Sequence, residues 1–254
     1  MMDTRLLLHT VLGLLLLLVP AGAIYLLDKK QLKTFGVAVA RMAVQLLVLC
    51  LVVWGLMKLN NPWLLMVWLL AVTAYSAWLV LKRCKLEVGR LLPAVAAGVF
   101  VGTFVVGMWL LVLVLPVKAF DARWFVPVTA LLTGHATAMM IRGLNVYVTA
   151  LKADEQQYEF LRGNGLTHLK ALQPFLRRAL LAVISPTVAN LTVLGLTSMP
   201  LLLCGIFLGG MTPINAFVVM LQMTIGCVAV SVLSLGITLA IADRVLFDSF
   251  GKLK

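Results

Sequence analysis

The feature that most limits the fold of this chain is a series of apolar stretches, most of them long enough to cross a bilayer. A helix needs about 20 apolar residues to span the hydrocarbon core. The composition agrees, since 63% of the 254 residues are hydrophobic, 12% are charged and the mean hydropathy is +1.08. Soluble domains carry about 45–50% apolar and about 25% charged residues. A soluble globule, a disordered chain and a disulfide scaffold are therefore excluded.

These stretches predict an all-α fold, a polytopic membrane bundle with seven spans. We expect residues 1–254 to form a single transmembrane domain, with one long loop over 152–183 inside it. The expected spans are approximately Leu6–Leu27, Phe35–Met57, Trp63–Leu81, Leu92–Leu115, Trp124–Leu151, Ile184–Leu208 and Ala216–Ile241.

The basic residues are distributed in a way that agrees with this series of spans. The 21 Lys and Arg exceed the 9 Asp and Glu, a formal net charge of +12. Most of the basic residues follow the first, third, fifth and seventh spans, and cytoplasmic loops carry such an excess. We therefore expect the N-terminus outside, the C-terminus in the cytoplasm and a location in the plasma (inner) membrane. Since the excess reports insertion into the bilayer, no nucleic-acid partner is expected.

The loop over 152–183 is the one sizeable soluble piece that the sequence predicts, and we expect it on the cytoplasmic side. Its part over 154–175 is amphipathic at helical spacing, and Gly163-Asn164-Gly165 interrupts the pattern. The expectation is a helix, a tight turn and a second helix. Two interpretations are open: a helix lying on the lipid headgroups, or a docking element for a cytoplasmic partner.

Several motifs resemble one family of transporters. The loop has a Glu and a Gly at E-x5-G spacing, and the second span contains R-x-x-x-Q-L. The C-terminal half has S-P-T-V-A-N, then L-G-L-T-S-M-P, and a later Gln. In chain order, the residues of these motifs are Arg41 to Leu46, Glu159 and Gly165, Ser185 to Asn190, Leu194 to Pro200, and Gln222. This order is similar to that of the FetB (YbbM) family of ABC-type permeases, over nearly the whole chain. The chain departs from the family pattern after Pro200 and after Gly205, and around Gly143-Leu144-Asn145, so it is a divergent member.

The resemblance implies a permease subunit that exports a metal ion, with iron as the leading candidate. A separate ABC ATPase would dock on the 152–183 loop and bind the ATP, so this chain would hold no cofactor and would not be an enzyme. The sequence contains no P-loop, and one seven-span chain is small for a complete channel, so we expect a homodimer. The alternative is an ATPase-independent channel or secondary carrier. The implied ATPase-coupling residues are Glu155, Glu159, Arg162, Gly163 and Gly165.

Polar, proline and methionine residues inside the spans are the candidates for a translocation pathway. They are Arg41, Gln45, His135, Met139, Asn145, Pro186, Asn190, Ser198, Met199, Pro200 and Gln222. His135 and Met139 lie one helical turn apart, and both side chains can ligate transition metals. Alternatively, His135 bonds to a neighbouring helix and Met139 is core, so the metal ligands stay open. Asn190 and Ser198 would either line the path or form interhelical hydrogen bonds.

No function is predicted for Asp243 or for the four cysteines. Asp243 is the one acidic residue near a span, and it lies beside Arg244 at an expected cytoplasmic end. The four cysteines are scattered without metal-site spacing, so neither a disulfide nor a structural metal site is expected.

Overall fold

The computed structural model describes residues 12–27, 29–86, 88–115, 120–194 and 201–246, and the regular elements in these ranges are helices. The chain divides into two compact units, 1–58 and 59–254. The first unit contains helix α1 (Leu18–Leu27) and nearly all of helix α2 (Lys29–Leu59). The predicted pathway residues Arg41 and Gln45 both lie exposed on α2.

The second unit is a helical bundle built around α5. Its helices are α3 (Pro62–Cys84), α4 (Val88–Met108), a π-helical segment (Trp109–Val114), α5 (Ala122–Ala153), α6 (Glu155–Gly163), α7 (His168–Val193), α8 (Leu201–Leu208) and α9 (Pro213–Leu246). Helix α5 packs against α3, α4, α7 and α9, and α9 also packs closely along α4.

Within the described residues, five helices are long and apolar enough to cross a membrane. They are α2, α3, α4 with its π-helical segment, α5 and α9 up to Asp243. They correspond to the second, third, fourth, fifth and seventh predicted spans, and the all-helical fold is confirmed. A shorter apolar helix over Leu12–Leu27 lies in the first predicted span, whose start is outside the described residues. The count of seven spans and the orientation stay predictions.

The predicted sixth span, Ile184–Leu208, is wrong as one continuous helix. Helix α7 begins at His168, 16 residues before the predicted start, and ends at Val193, where Leu194 has extended backbone angles of φ −67° and ψ 124°. A separate helix, α8, covers Leu201–Leu208. Hydropathy averaged over 184–208 does not mark the start of the helix, whereas the buried face of α7 starts earlier, at Ala171 and Leu172, both fully buried. Tertiary packing therefore set the helix limits where hydropathy alone did not.

Short polar residues fix the starts of α3 and α5 at one end of the bundle. Asn61 caps α3, since its Oδ1 accepts from the Trp63 amide at 3.0 Å, and Pro62 occupies the first turn. The neighbouring Asn60 accepts from the Ala122 amide at 3.0 Å and so joins the two helix starts. Because α5 begins there and runs to Ala153, helix α6 lies at the opposite end.

Helices α4 and α9 approach closely at a G-x-x-x-G motif, Gly98 to Gly102. A Cβ added at Gly98 would lie 2.7 Å from the carbonyl oxygen of Ser234, and one added at Gly102 would lie 3.1 Å from the Ser234 amide nitrogen. Thr238 continues the same contact surface one turn along α9. Any side chain at these glycines would push the two helices apart.

We expect Gly98→Ala to lower the free energy of unfolding by about 1–3 kcal/mol, because a backbone carbonyl cannot move aside as a side-chain tip can. Gly236→Ala on α9 is the matched control, since no described atom lies within 4 Å of its added Cβ. Alanine favours a helix over glycine by about 1 kcal/mol, so the control should be neutral or stabilising. The measurement is the thermal unfolding midpoint of both variants in detergent. Equal shifts of the two midpoints would contradict the close contact between α4 and α9 at Gly98.

Candidate functional site

The helix–turn–helix expected after α5 is present as α6, a turn and the start of α7. Helix α6 covers Glu155–Gly163, and α7 begins at His168. Gly165 has φ +79°, in the left-handed region that favours glycine, and its amide donates to the Arg162 carbonyl at 3.1 Å. The break predicted at Gly163-Asn164-Gly165 is confirmed, and Gly165 is the residue that the turn requires.

One face of α6 is anchored in the bundle by Tyr158. This side chain is 3% exposed and belongs to the same core cluster as Leu151, Leu172 and Phe175. Its hydroxyl oxygen lies 2.9 Å from Nδ1 of His168, and the two rings meet edge to face. Burial raises the pKa of the Tyr158 hydroxyl, so the group stays protonated at neutral pH. Helix α6 is therefore joined to the first turn of α7.

The other face of α6 is exposed. The five predicted coupling residues, Glu155, Glu159, Arg162, Gly163 and Gly165, are all on the surface. Phe160, which the sequence analysis did not select, is 69% exposed on the same short helix. Leu169, in the first turn of α7, is similarly exposed at 67%. Charged groups around two exposed apolar side chains form a surface suited to contact with another protein. We call Glu155, Glu159, Phe160, Arg162 and Leu169 the α6 surface.

Two further contacts connect this end of the bundle. Asp154, between α5 and α6, accepts a hydrogen bond from Nη1 of Arg178 on α7 at 2.5 Å. Deeper in the bundle, the Tyr147 hydroxyl on α5 donates to Oδ1 of Asp243 on α9 at 2.5 Å. Tyr147 is fully buried and Asp243 is 6% exposed. The ends of α5, α6, α7 and α9 are thus linked by side chains.

The buried position of Asp243 is a functional detail that the sequence analysis missed. Its charge and its neighbour Arg244 suggested a helix end in water. A signal was nevertheless present, because Asp243 continues the buried stripe of Leu235 and Leu239 at a spacing of four residues.

The threonines of α5 explain how this helix carries polar residues through an apolar core. Thr129, Thr133 and Thr137 each donate to the carbonyl four residues earlier, at 2.6 to 2.7 Å. Thr137 also bonds to Ser76 on α3. Thr133 also contacts the Thr103 hydroxyl of α4 at 3.5 Å. These hydroxyls are satisfied by their own helix and two neighbours, so they have a structural role.

His135 and Met139 occupy a different position on α5. Both are partly buried, and the Thr187 hydroxyl of α7 lies 3.9 Å from the Met139 sulfur. Nε2 of His135 is buried and has no hydrogen-bond partner among the described residues. In the same part of the chain, no group of three or more His, Cys, Asp or Glu is arranged to hold a metal ion. Both interpretations of His135 and Met139 stay open.

The remaining predicted pathway residues are dispersed. Pro186 and Asn190 lie on α7, the former beside Thr187 and the latter exposed. Gln222 on α9 lines an apolar cavity of about 410 Å³ next to Trp109 and Gly226, and its Oε1 atom is buried without a partner among the described residues. Ser198, Met199 and Pro200 lie outside the described residues. The geometry therefore brings Met139 to Thr187, a residue that was not predicted for the pathway, and it leaves Gln222 in a separate cavity.

A groove of about 650 Å³ with both polar and apolar lining residues runs along α5 next to α7. Arg142 and Asn145 line it, together with Asp154 and Arg178. Asn145 was predicted as a pathway residue, whereas Arg142 was not.

The bundle, its spanning helices and the exposed α6 surface define a multi-pass helical membrane protein. The chain belongs to the uncharacterised protein family UPF0014, whose model matches residues 7–247. It is 26% identical over 210 residues to the UPF0014 membrane protein YjkA of Bacillus subtilis (strain 168), covering 80% of this chain and 83% of the relative.

Two other relatives carry more specific names. Protein ALUMINUM SENSITIVE 3 of Arabidopsis thaliana is 27% identical over 177 residues, 68% of this chain and 63% of the relative. The probable iron export permease protein FetB of Escherichia coli (strain K12) is 23% identical over 218 residues, 84% of this chain and 81% of the relative. No solved structure matches. Among these relatives, the protein of Escherichia coli is named as a permease.

The Tyr147–Asp243 bond yields a stability prediction. Tyr147→Phe removes the hydroxyl that donates to the buried Asp243 carboxyl group, and we expect a loss of about 1–3 kcal/mol in the free energy of unfolding. Tyr75→Phe is the control, because Tyr75 is 51% exposed on α3. The measurement is the unfolding midpoint of each variant in detergent. An unchanged midpoint for Tyr147→Phe would show that the bond does not hold α5 to α9.

Proposed function

We propose that this chain is the membrane-spanning permease subunit of an ABC transporter, driven by a separate ATPase subunit. The observation that carries the proposal is the construction of α6, a short helix anchored through Tyr158 on one side and exposed through Glu159 and Phe160 on the other. A helix that only lay on headgroups would not need its inward face locked into the bundle core. A helix that transmits force from a partner needs both an exposed docking face and a rigid attachment.

The attachments supply a route for that force. A displacement of α6 acts on α7 through the Tyr158–His168 contact and through the Asp154–Arg178 ion pair. It acts on α5 directly, since only Asp154 separates the two helices. From α5 it reaches α9 through Tyr147 and Asp243. The ATPase would bind the two transport states differently, and this difference in affinity would couple ATP use to the exposure of the path.

The substrate and direction that we propose are export of a metal ion, with iron first, and they rest on the name of the FetB relative. The His135 and Met139 pair on α5 adds an imidazole and a thioether of the type that transition metals accept. We further propose a homodimer in the plasma (inner) membrane, with seven spans, the N-terminus outside and α6 in the cytoplasm. ATP would bind only the partner subunit.

Docking can be tested by substitution at the α6 surface. We expect Phe160→Ala to reduce copurification of the ATPase with the tagged chain by at least about tenfold, since exposed aromatic side chains are frequent interface anchors. Because Phe160 is 69% exposed, the variant should keep the stability of the parent. Trp63→Ala is the matched control: it removes an aromatic side chain that is 79% exposed at the opposite end of the bundle. If no ATPase copurifies with the parent chain and the chain alone transports solute in liposomes without ATP, the channel or secondary-carrier alternative replaces this proposal.

Coupling can be separated from docking at Tyr158. Tyr158→Phe keeps the buried ring and removes only the hydroxyl that contacts His168. We expect the ATPase to copurify normally, while ATP-driven transport per ATP hydrolysed falls several-fold. His168→Gln, which can still accept a hydrogen bond from Tyr158, should retain more coupling than His168→Ala. If transport per ATP hydrolysed were equal in all of these variants, the Tyr158–His168 contact would not be part of the proposed route.

A further inference from the structure

Arg142 is the most unusual charged residue of the bundle. It lies on α5, about three helical turns before the end of that helix at Ala153, inside a segment apolar enough to span a membrane. Its side chain is exposed, and it has no hydrogen bond or ion pair with any residue that the structure describes. Arginine inside a span is costly in hydrocarbon, so such a group faces water or an anionic partner.

The surroundings of Arg142 are polar along one whole stripe of α5. Asn145 follows Arg142 by three residues and Thr149 follows Asn145 by four, and all three are exposed on the same face. They line the groove of about 650 Å³ that continues to Asp154 and Arg178 at the α6 end of the bundle. Ala138, Ile141, Val146, Ala150 and Ala153 line the rest of the groove, so its polar groups lie beside an apolar wall.

The charge of the groove has a definite sign. Asp154 is its one carboxylate among the lining residues, and this group already accepts from Nη1 of Arg178 at 2.5 Å. Arg142 therefore leaves an excess positive charge. A guanidinium presents a planar fork of N–H donors that matches two oxygens of a carboxylate or phosphate, and the Asn145 amide lies one turn away as a further donor.

The geometry points to an anion-binding site in this groove, in which Arg142 and Asn145 bind a phosphate or carboxylate group. The inference rests on the proposed function in one respect: if the groove is the cytoplasmic mouth of the transport path, the cargo enters as an anion. A bare metal cation would be repelled there, so a metal would enter as a complex of net negative charge. A lipid phosphate is the second possible source of the same chemistry.

The test uses the full-length purified chain without ATPase or ATP, so its result does not depend on the proposed coupling. Inorganic phosphate and citrate are titrated against the chain in nanodiscs of phosphatidylcholine, with binding measured calorimetrically. In the lipid arm, native mass spectrometry measures retention of added phosphatidylglycerol. We expect Arg142→Gln to weaken binding by at least about tenfold and Arg142→Lys to weaken it less, since lysine keeps the charge and loses the fork.

Arg83→Gln is the matched control, an exposed arginine at the last turn of α3. Asn145→Ala gives a second variant if Arg142→Gln does not remain monodisperse. Arg142-dependent binding of phosphate or citrate supports a solute site, and Arg142-dependent retention of phosphatidylglycerol alone supports a lipid site. Binding that is equal in the parent, Arg142→Gln and Asn145→Ala chains in both arms would overturn the inference. Loss of ATPase copurification without loss of anion binding would instead affect only the proposed function.

Discussion

The structure depends on how helix α5 satisfies its polar side chains inside an apolar bundle. Every polar group that enters a bilayer-spanning core without a partner costs free energy, so the partners of α5 define its neighbours. Its threonines bond to their own helix, and Tyr147 donates to Asp243 on α9. On α5, Nε2 of His135 is buried without a partner among the described residues, and the exposed guanidinium of Arg142 has no ion pair there either. Oε1 of Gln222, Oγ of Ser234 and Oγ1 of Thr238 on α9 are likewise buried without a partner among these residues. Polar groups that the fold itself leaves unsatisfied are the ones available to a ligand.

The end of α5 also shows how α6 is attached to the bundle. Three side-chain contacts converge there within a short length of chain, at Asp154, Tyr158 and Tyr147. Each joins a different pair of helices, so α6 does not move independently of α5, α7 and α9. The groove of Arg142 shares Asp154 and Arg178 with this junction. A shift of α6 that loosens the Asp154–Arg178 pair would therefore change the charge available in the groove, which connects the proposed docking surface with the proposed anion site.

Hydropathy and turn chemistry predicted the larger elements of this fold because both act locally. The apolar stretches became the five spanning helices, and Gly165 needed the left-handed conformation that marks the turn after α6. The sixth span was misplaced because the start of α7 is set by burial of Ala171 and Leu172, which depends on contacts with other helices. Phe160 and Asp243 were missed for the same reason: the exposure of one and the burial of the other are properties of packing, and neither residue type normally occupies such a place.

Charge at the groove also constrains what metal export would require of this chain. A divalent cation about 6 Å from a guanidinium meets a repulsion of about 1 kcal/mol in bulk water and about 5 kcal/mol at the effective dielectric constant of 20 typical near a protein surface. Each 1.4 kcal/mol corresponds to a tenfold change in occupancy. The same positive charge attracts an anionic complex and so lowers its electrostatic free energy in the groove. His135 and Met139, an imidazole and a soft thioether, would then act on the metal only after the complex has passed Arg142. Under the proposed function, the charge of the groove determines which cargo enters, and His135 and Met139 determine which metal is preferred.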